Sequence, residues 1–304
     1  MGTDQVYTML AKQIPTENIR RNELMKNHTS FKIGGPADLF VLPTSKEELS
    51  FALSVCRENS IPYYVIGNGS NLLVSDKGIR GVVLQLYKNL SNIQVHNDTI
   101  IAEPGALLSQ VAITALNNSL GGFEFAHGIP GTLGGALTMN AGAYGGEMKD
   151  VTISVEALDE RSQIITLNKE QLDFGYRQSK LQKHNYVVIM ATLKLAFKDQ
   201  TEIGNIMKDL AARRREKQPL ELPSAGSAFK RPKGYYAGQL IMESGLRGYQ
   251  VGGARVSDKH CGFIVNMGDA LAKDVLALIE HIQNEVYKRF NVMLEPEIKL
   301  IGEM

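Results

Sequence analysis

Apolar residues recur at helical spacing in several stretches of the chain, and between those stretches they alternate or cluster as strands do. Leu49, Ala52, Leu53 and Cys56 share one face of a helix opened by Pro43 to Glu48, with Ser45 and Glu48 at capping-box spacing and an end near Asn59. Pro62 to Ile66, Leu72 to Val74, Val82 to Leu86 and Thr99 to Ala102 read as strands. Leu108, Val111, Ala115 and Leu116 form the stripe of a helix from Leu107 to Asn117. Two alternating strands flank the turn Asp159-Glu160-Arg161, and a long strand runs from Tyr186 to Phe197. A further helix carries Ile203, Ile206, Met207 and Leu210 into the basic run Arg213 to Lys217, where Gln218-Pro219 stops it. After a loop from Pro223 to Pro232 the pattern restarts. It gives a helix over Ala237 to Glu243, strands over Gln250 to Val256 and Gly262 to Asn266, a long helix from Leu271 to Phe290 and a last strand from Glu297 to Ile301. Helices and strands mix without a strict βαβ rhythm, which points to an α+β fold with a domain boundary near residues 200–218.

A chain of 304 residues has room for two or three domains, each with a sizeable core. Its 33 basic residues against 32 acidic ones leave a net charge of +1, so no long-range field draws in nucleic acid or an anionic membrane. An anionic ligand must be met by local groups. Cys56 and Cys261 show no metal-ligand or disulfide spacing and read as small buried hydrophobes, so no metal site is expected. The first twenty residues lack the apolar core of a signal peptide, and the nearly apolar run from Phe125 to Gly146 carries seven glycines besides His127, Pro130 and Asn140, which lipid would not tolerate. The expectation is a cytoplasmic protein with small-molecule ligands, no nucleic-acid or membrane partner and no obligate protein partner.

Walker A, HExxH, GxSxG and EF-hand patterns are absent. Gly67-Asn68-Gly69-Ser70-Asn71 lies between two strands, where its amides and side chains suit a pyrophosphate and equally suit a tight β-turn. It is not the Rossmann fingerprint, because Leu72 stands where the third glycine belongs and no helix follows. The second glycine segment runs from Gly128 through Gly131, Gly134 and Gly135 to Gly146, and so many positions without side chains suit a flat cofactor laid along backbone, or close packing against a neighbouring domain. Downstream, Tyr176-Arg177-Gln178-Ser179 sets an arginine among small polar residues, suited to a carboxylate or enolate. Pro223 to Pro232 offers the Ser227 hydroxyl beside Lys230 and Arg231, and in Leu294-Glu295-Pro296-Glu297-Ile298-Lys299 the residues Glu297 and Lys299 share a strand face.

Taken in order, Asn27 to Gly35, Gly67 to Leu73, Gly128 to Gly135 with Asn140 to Gly145, Tyr176 to Ser179, Ala225 to Pro232 and Leu294 to Glu297 resemble the UDP-N-acetylenolpyruvoylglucosamine reductases, flavoenzymes of peptidoglycan synthesis. The resemblance implies an FAD-binding region of the vanillyl-alcohol-oxidase type in two subdomains, residues 1–85 and 86–202, and an α+β substrate-binding domain over 203–304. It implies noncovalent FAD, NADPH as hydride donor and a UDP-sugar enolpyruvyl ether as substrate. It assigns Arg177, Ser227 and Glu297 to catalysis, and Gly67, Asn68, Gly69, Ser70, Asn71, Gly131, Thr132, Gly134, Gly135 and Ala136 to FAD. Tyr176, Arg214, Lys230 and Arg231 are the expected substrate contacts. Arg231 stands where some relatives carry Asn, so their substrate contacts do not transfer directly. The short link from Arg177 to the strand at Tyr186 places the chain in the subclass without an extra tyrosine-bearing loop. A flavin oxidase of the same fold and a catalytically silent nucleotide-sugar sensor are the competing readings.

Overall fold

The computed structural model describes residues 2–303 and divides into two compact units. The first comprises the chain up to Arg20, Leu39–Asn68 and Gly81–Arg214; the second comprises Arg21–Asp38, Gly69–Arg80 and everything from Arg215 on. The second unit thus takes in two N-terminal segments that the continuous division 1–85, 86–202 and 203–304 leaves elsewhere, and its last segment opens at Arg215.

The first unit has two cores. One gathers Val6, Leu10, Leu49, Leu53, Leu84 and Ile189 around the helices Thr3–Leu10 and Lys46–Glu58. The Ser45 hydroxyl caps the second of these by accepting from the Glu48 amide at 3.1 Å, while the Glu48 carboxylate reaches back to the Thr44 amide at 2.7 Å. Strand Tyr63–Ile66 pairs in parallel with Val82 to Gln85. The other core lies on an antiparallel sheet of five strands in the spatial order Ile164–Asn168, Thr152–Leu158, Val187–Lys194, Thr99–Ala102, Ile93–His96, on which the helix Leu108–Asn117 buries Leu108, Val111 and Ala115. The strand expected from Tyr186 to Phe197 breaks after Lys194 and resumes as Ala196–Phe197, which pairs with Leu120–Gly121.

The second unit packs the helices Ala237–Glu243 and Ala272–Phe290 around Leu240, Ile241, Val275, Leu278, Ile282 and Val286, with Phe31, Ile33 and Leu73 completing the core. Asp76 caps the long helix from far along the chain, its two carboxylate oxygens accepting from the Ala272 and Lys273 amides at 2.7 and 3.1 Å. Asn291 ends that helix in the left-handed region at φ +54°. The stretch Gln250 to Val256, expected as one strand, is a hairpin of Gln250–Val251 and Ala254–Val256 around Gly252-Gly253. The loop expected from Pro223 to Pro232 contains the strand Ser224–Ser227, which joins the sheet edge at Phe263–Asn266. The last strand, Lys299–Ile301, pairs in parallel with Leu72–Val74, so Glu297 stands just before it. Among the described residues no helix is long and apolar enough to cross a membrane.

Candidate active site

In the first unit the two glycine segments lie against each other. The Asn68 side-chain amide donates to the Pro130 carbonyl at 3.0 Å, and a Cβ built on Gly67 would stand 2.1 Å from Thr132 Oγ1, so only glycine permits that approach. Part of the segment expected as bare backbone is helical: Leu133–Thr138 forms a short helix behind Thr132, with the Leu133 and Gly134 amides bonded to the Ala106 and Pro104 carbonyls at 2.8 and 2.9 Å. Gly134 serves that packing, because a Cβ there would meet Pro104 Cβ at 2.8 Å. Gly135 is different: a Cβ there would meet only Thr132 Oγ1, at 3.7 Å, leaving room above the backbone. Just upstream, His127 Nδ1 is buried with no hydrogen-bond partner. Open space over the Gly135 backbone and an orphaned ring nitrogen in the same glycine-rich segment fit a bound FAD. Gly69, Ser70 and Asn71 belong to the second unit, where Gly69 packs on the His28 carbonyl at φ +64°.

Arg177 caps a tight turn of the first unit. Its backbone is left-handed at φ +56°, an expensive conformation for a long side chain, and its guanidinium lies 5.1 Å from the half-exposed ring of Tyr176. Gly175 and Gln178 close the turn on one another, with amide-to-carbonyl bonds of 3.0 and 3.3 Å. Ser179 is fully buried and donates to the Thr138 carbonyl at 2.7 Å while capping the short helix Lys180–Lys183. Arg214, on the helix Gln200–Lys217, lays its side chain against Gly128, and burial lowers its pKa.

In the second unit Ser227 and Glu297 are carried by segments zipped together. The Glu297 amide donates to the Ala228 carbonyl at 2.9 Å and the Lys230 amide to the Glu295 carbonyl at 2.8 Å, with Phe229 bridged to Pro296. Ser227 is exposed and Glu297 half-buried. Lys230 is ion-paired with Glu295, and the Arg231 guanidinium stacks 4.0 Å from the Tyr236 ring centroid. Lys299, two residues beyond Glu297, has its pKa lowered first by burial and then by the charge of Lys230. The sequence expectations named neither Lys299 nor Tyr236 as site residues, although the strand alternation placed Lys299 beside Glu297. The structure therefore groups Ser227, Glu297, Lys230 and Arg231 in one unit, and Gly67, Thr132, Gly135, Arg177 and Arg214 in the other. No cluster of three or more metal-ligating side chains occurs among the described residues.

Residues 37–168 match the family described as the FAD binding domain. Structures as remote as a glucose-oxidase variant of Phl p 4, at 15% identity and a TM-score of 0.50 over 64% of this chain, share the fold alone. The matched domain defines the class as FAD-binding proteins. Residues 218–301 match the C-terminal domain of UDP-N-acetylenolpyruvoylglucosamine reductase. The chain is 52% identical to the UDP-N-acetylenolpyruvoylglucosamine reductase of Alkaliphilus oremlandii over 299 residues, covering 98% of each, and 53% identical to that of Clostridium botulinum over 290 residues, covering 95% of this chain and 94% of that one. The crystal structure of the Thermus caldophilus enzyme of that name aligns at a TM-score of 0.81 and 38% identity, covering 93% of this chain and 98% of that one. The chain belongs to the UDP-N-acetylenolpyruvoylglucosamine reductase family.

Proposed function

We propose that the chain reduces the enolpyruvyl group of UDP-N-acetylglucosamine enolpyruvate to the D-lactyl ether, giving UDP-N-acetylmuramate for peptidoglycan synthesis, with NADPH as reductant. The observation that carries the reading is 52% identity extending over 98% of both chains. Noncovalently bound FAD would supply two-electron transfer between NADPH and the substrate. Gly67 to Asn71 and the segment Gly131, Thr132, Gly134, Gly135 and Ala136 would hold it. NADPH and a nucleotide sugar as reactants place the reaction in the cytoplasm.

Reduction of the enolpyruvyl double bond builds negative charge on the carbon next to the carboxylate. Arg177 pairs with the carboxylate oxygens through its planar guanidinium and stabilises that charge as it grows. Ser227 gives its hydroxyl proton to the carbanionic carbon. An ordinary serine is a weak acid, but an enolate is a strong base, and the cations Lys230, Arg231 and Lys299 carried by the same unit favour the alkoxide left behind. Glu297 holds the substrate and orients a neighbouring donor. Tyr176, Lys230, Arg231 and Arg214 contact the substrate, the two arginines at its diphosphate.

Rapid-mixing absorbance at the flavin band tests the reading. Ser227→Ala spares flavin reduction by NADPH and slows reoxidation by substrate about 10²- to 10⁴-fold. Equal loss in both half-reactions rejects the role of Ser227, and an enzyme reoxidised by oxygen but not anaerobically by the sugar nucleotide rejects the function.

A further inference from the structure

Asn140 is fully buried and left-handed, at φ +45°, and all its side-chain polar atoms are used. Its Nδ2 donates to the Gly175 carbonyl at 3.0 Å and to Glu147 Oε2 at 2.9 Å, and its Oδ1 accepts from the Lys149 amide at 2.9 Å. Two residues earlier, the Thr138 carbonyl accepts from Ser179 Oγ. Gly175 and Ser179 are the two legs of the turn that presents Arg177. Both legs thus hang on the end of the helix Leu133–Thr138, whose beginning is Thr132 in the glycine cradle. A left-handed arginine persists only where its surroundings over-determine it, and these two bonds anchor both legs of its turn. The third arm of the network is Glu147, whose carboxyl is held below its usual range chiefly by Lys149 and also by Asn140, with the charge of Arg177 adding to the effect.

We infer that Asn140 is a positioning residue for Arg177: through its amide, the segment that cradles the flavin at one end sets at its other end where the guanidinium stands. Asn140 touches neither reacting group in this role. The glycine segment and the arginine turn are one mechanical piece, so the cofactor cradle and the carboxylate ligand share a reference frame, joined by a hydrogen bond between Asn140 and Gly175, 35 positions apart in the chain. The inference rests on the proposed role of Arg177 as the ligand of the substrate carboxylate.

The test compares the FAD-loaded parent enzyme with Asn140→Ser, Arg177→Ala and the double variant, reading FAD affinity by flavin fluorescence, flavin reduction by NADPH and reoxidation by the UDP-sugar enolpyruvyl ether. Asn140→Ser is expected to keep FAD affinity and NADPH reduction within about twofold of the parent, and to slow reoxidation about 10- to 100-fold with a raised KM for the sugar nucleotide, as a misplaced guanidinium would. In the Arg177→Ala background the same substitution is expected to change nothing further, because its effect passes through the arginine. Should Asn140→Ser not fold, Ser179→Ala loosens the other leg and is expected to show the same pattern, including silence in the Arg177→Ala background. Additive effects in the double variant, or losses shared equally by both half-reactions, overturn the inference and leave Asn140 a scaffold residue. If Arg177→Ala itself leaves reoxidation intact, the role of Arg177 falls first and the positioning role with it.

Discussion

Asn71 holds the segment around Glu297 from two sides: its side-chain amide donates to the Glu297 carbonyl at 3.2 Å, and its own carbonyl accepts the Lys299 amide at 2.9 Å. The two bonds open the parallel ladder in which Leu72 to Val74 face Lys299 to Ile301. Replacing the side chain removes one of them and strips the Glu297 carbonyl of its donor. Asn71→Ala is expected to lower stability by about 1 kcal/mol, read as a shift of the urea midpoint with unchanged slope. A variant as stable as the parent would show that water replaces the amide without loss.

The close approach of Gly67 to Thr132 makes a second, sharper prediction. A methyl group at 67 would drive into Thr132 Oγ1 and spread the two glycine segments. Gly67→Ala is expected to weaken FAD at least about tenfold, seen as a fall in the ratio of flavin to protein absorbance after gel filtration. Adding Thr132→Ala removes the clashing oxygen and should restore part of the flavin. A double variant worse than Gly67→Ala by the full cost of Thr132→Ala would locate the damage elsewhere.

Lys299 gives a pH-dependent signature. Its pKa is lowered in the folded protein by burial and by Lys230, so the charged ammonium disfavours folding at every pH below its folded pKa. That penalty fades as pH rises from the folded pKa to the ordinary lysine value of about 10.4, because above it both states are neutral. Lys299→Met is therefore expected to stabilise the protein at pH 7 and to lose that advantage near pH 10.5, with chemical denaturation at both pH values as the measurement. An advantage that is equal at both would mean that the charge is irrelevant.

Both thiols should be silent in the native protein. Cys56 is fully buried, and burial pushes its pKa up to about 12; Cys261 is buried with its pKa raised for the same reason. With 5,5′-dithiobis(2-nitrobenzoate) at pH 8 the folded enzyme is expected to release almost no chromophore within minutes, and two equivalents after denaturation. Rapid release of one equivalent without denaturant would reveal local opening at that cysteine.

Hydropathy and caps located the elements whose signals are local. Ser45 and Glu48 marked the start of Lys46–Glu58 to the residue, and the stripe of Leu108, Val111 and Ala115 marked Leu108–Asn117. The helix Thr3–Leu10 leaves no stripe in the sequence because it buries only Val6 and Leu10. The helix Leu133–Thr138 was illegible for another reason: its glycines oppose helix formation, and what holds it is packing on Pro104 and Ala106, distant in sequence. The candidate chemistry-bearing residues lie in local motifs, whereas the residues that support them do not. Nothing local in the sequence tells that Asn140 reaches Gly175, or that Asn71 reaches Glu297, since both pairings exist only once remote segments meet.

The interleaved make-up of the second unit bears on how the chain matures on the ribosome. Phe31, Ile33 and Leu73 emerge early, yet the helices they pack with and the strand that pairs with Leu72 are translated much later. Those early segments wait for partners that follow far down the chain, and closing them onto that later block is a long-range, entropically slow event. Expressed as a free fragment, residues 215–304 would lack the Asp76 cap and three core side chains, which makes truncation from the N-terminus a poor route to an isolated, folded C-terminal block.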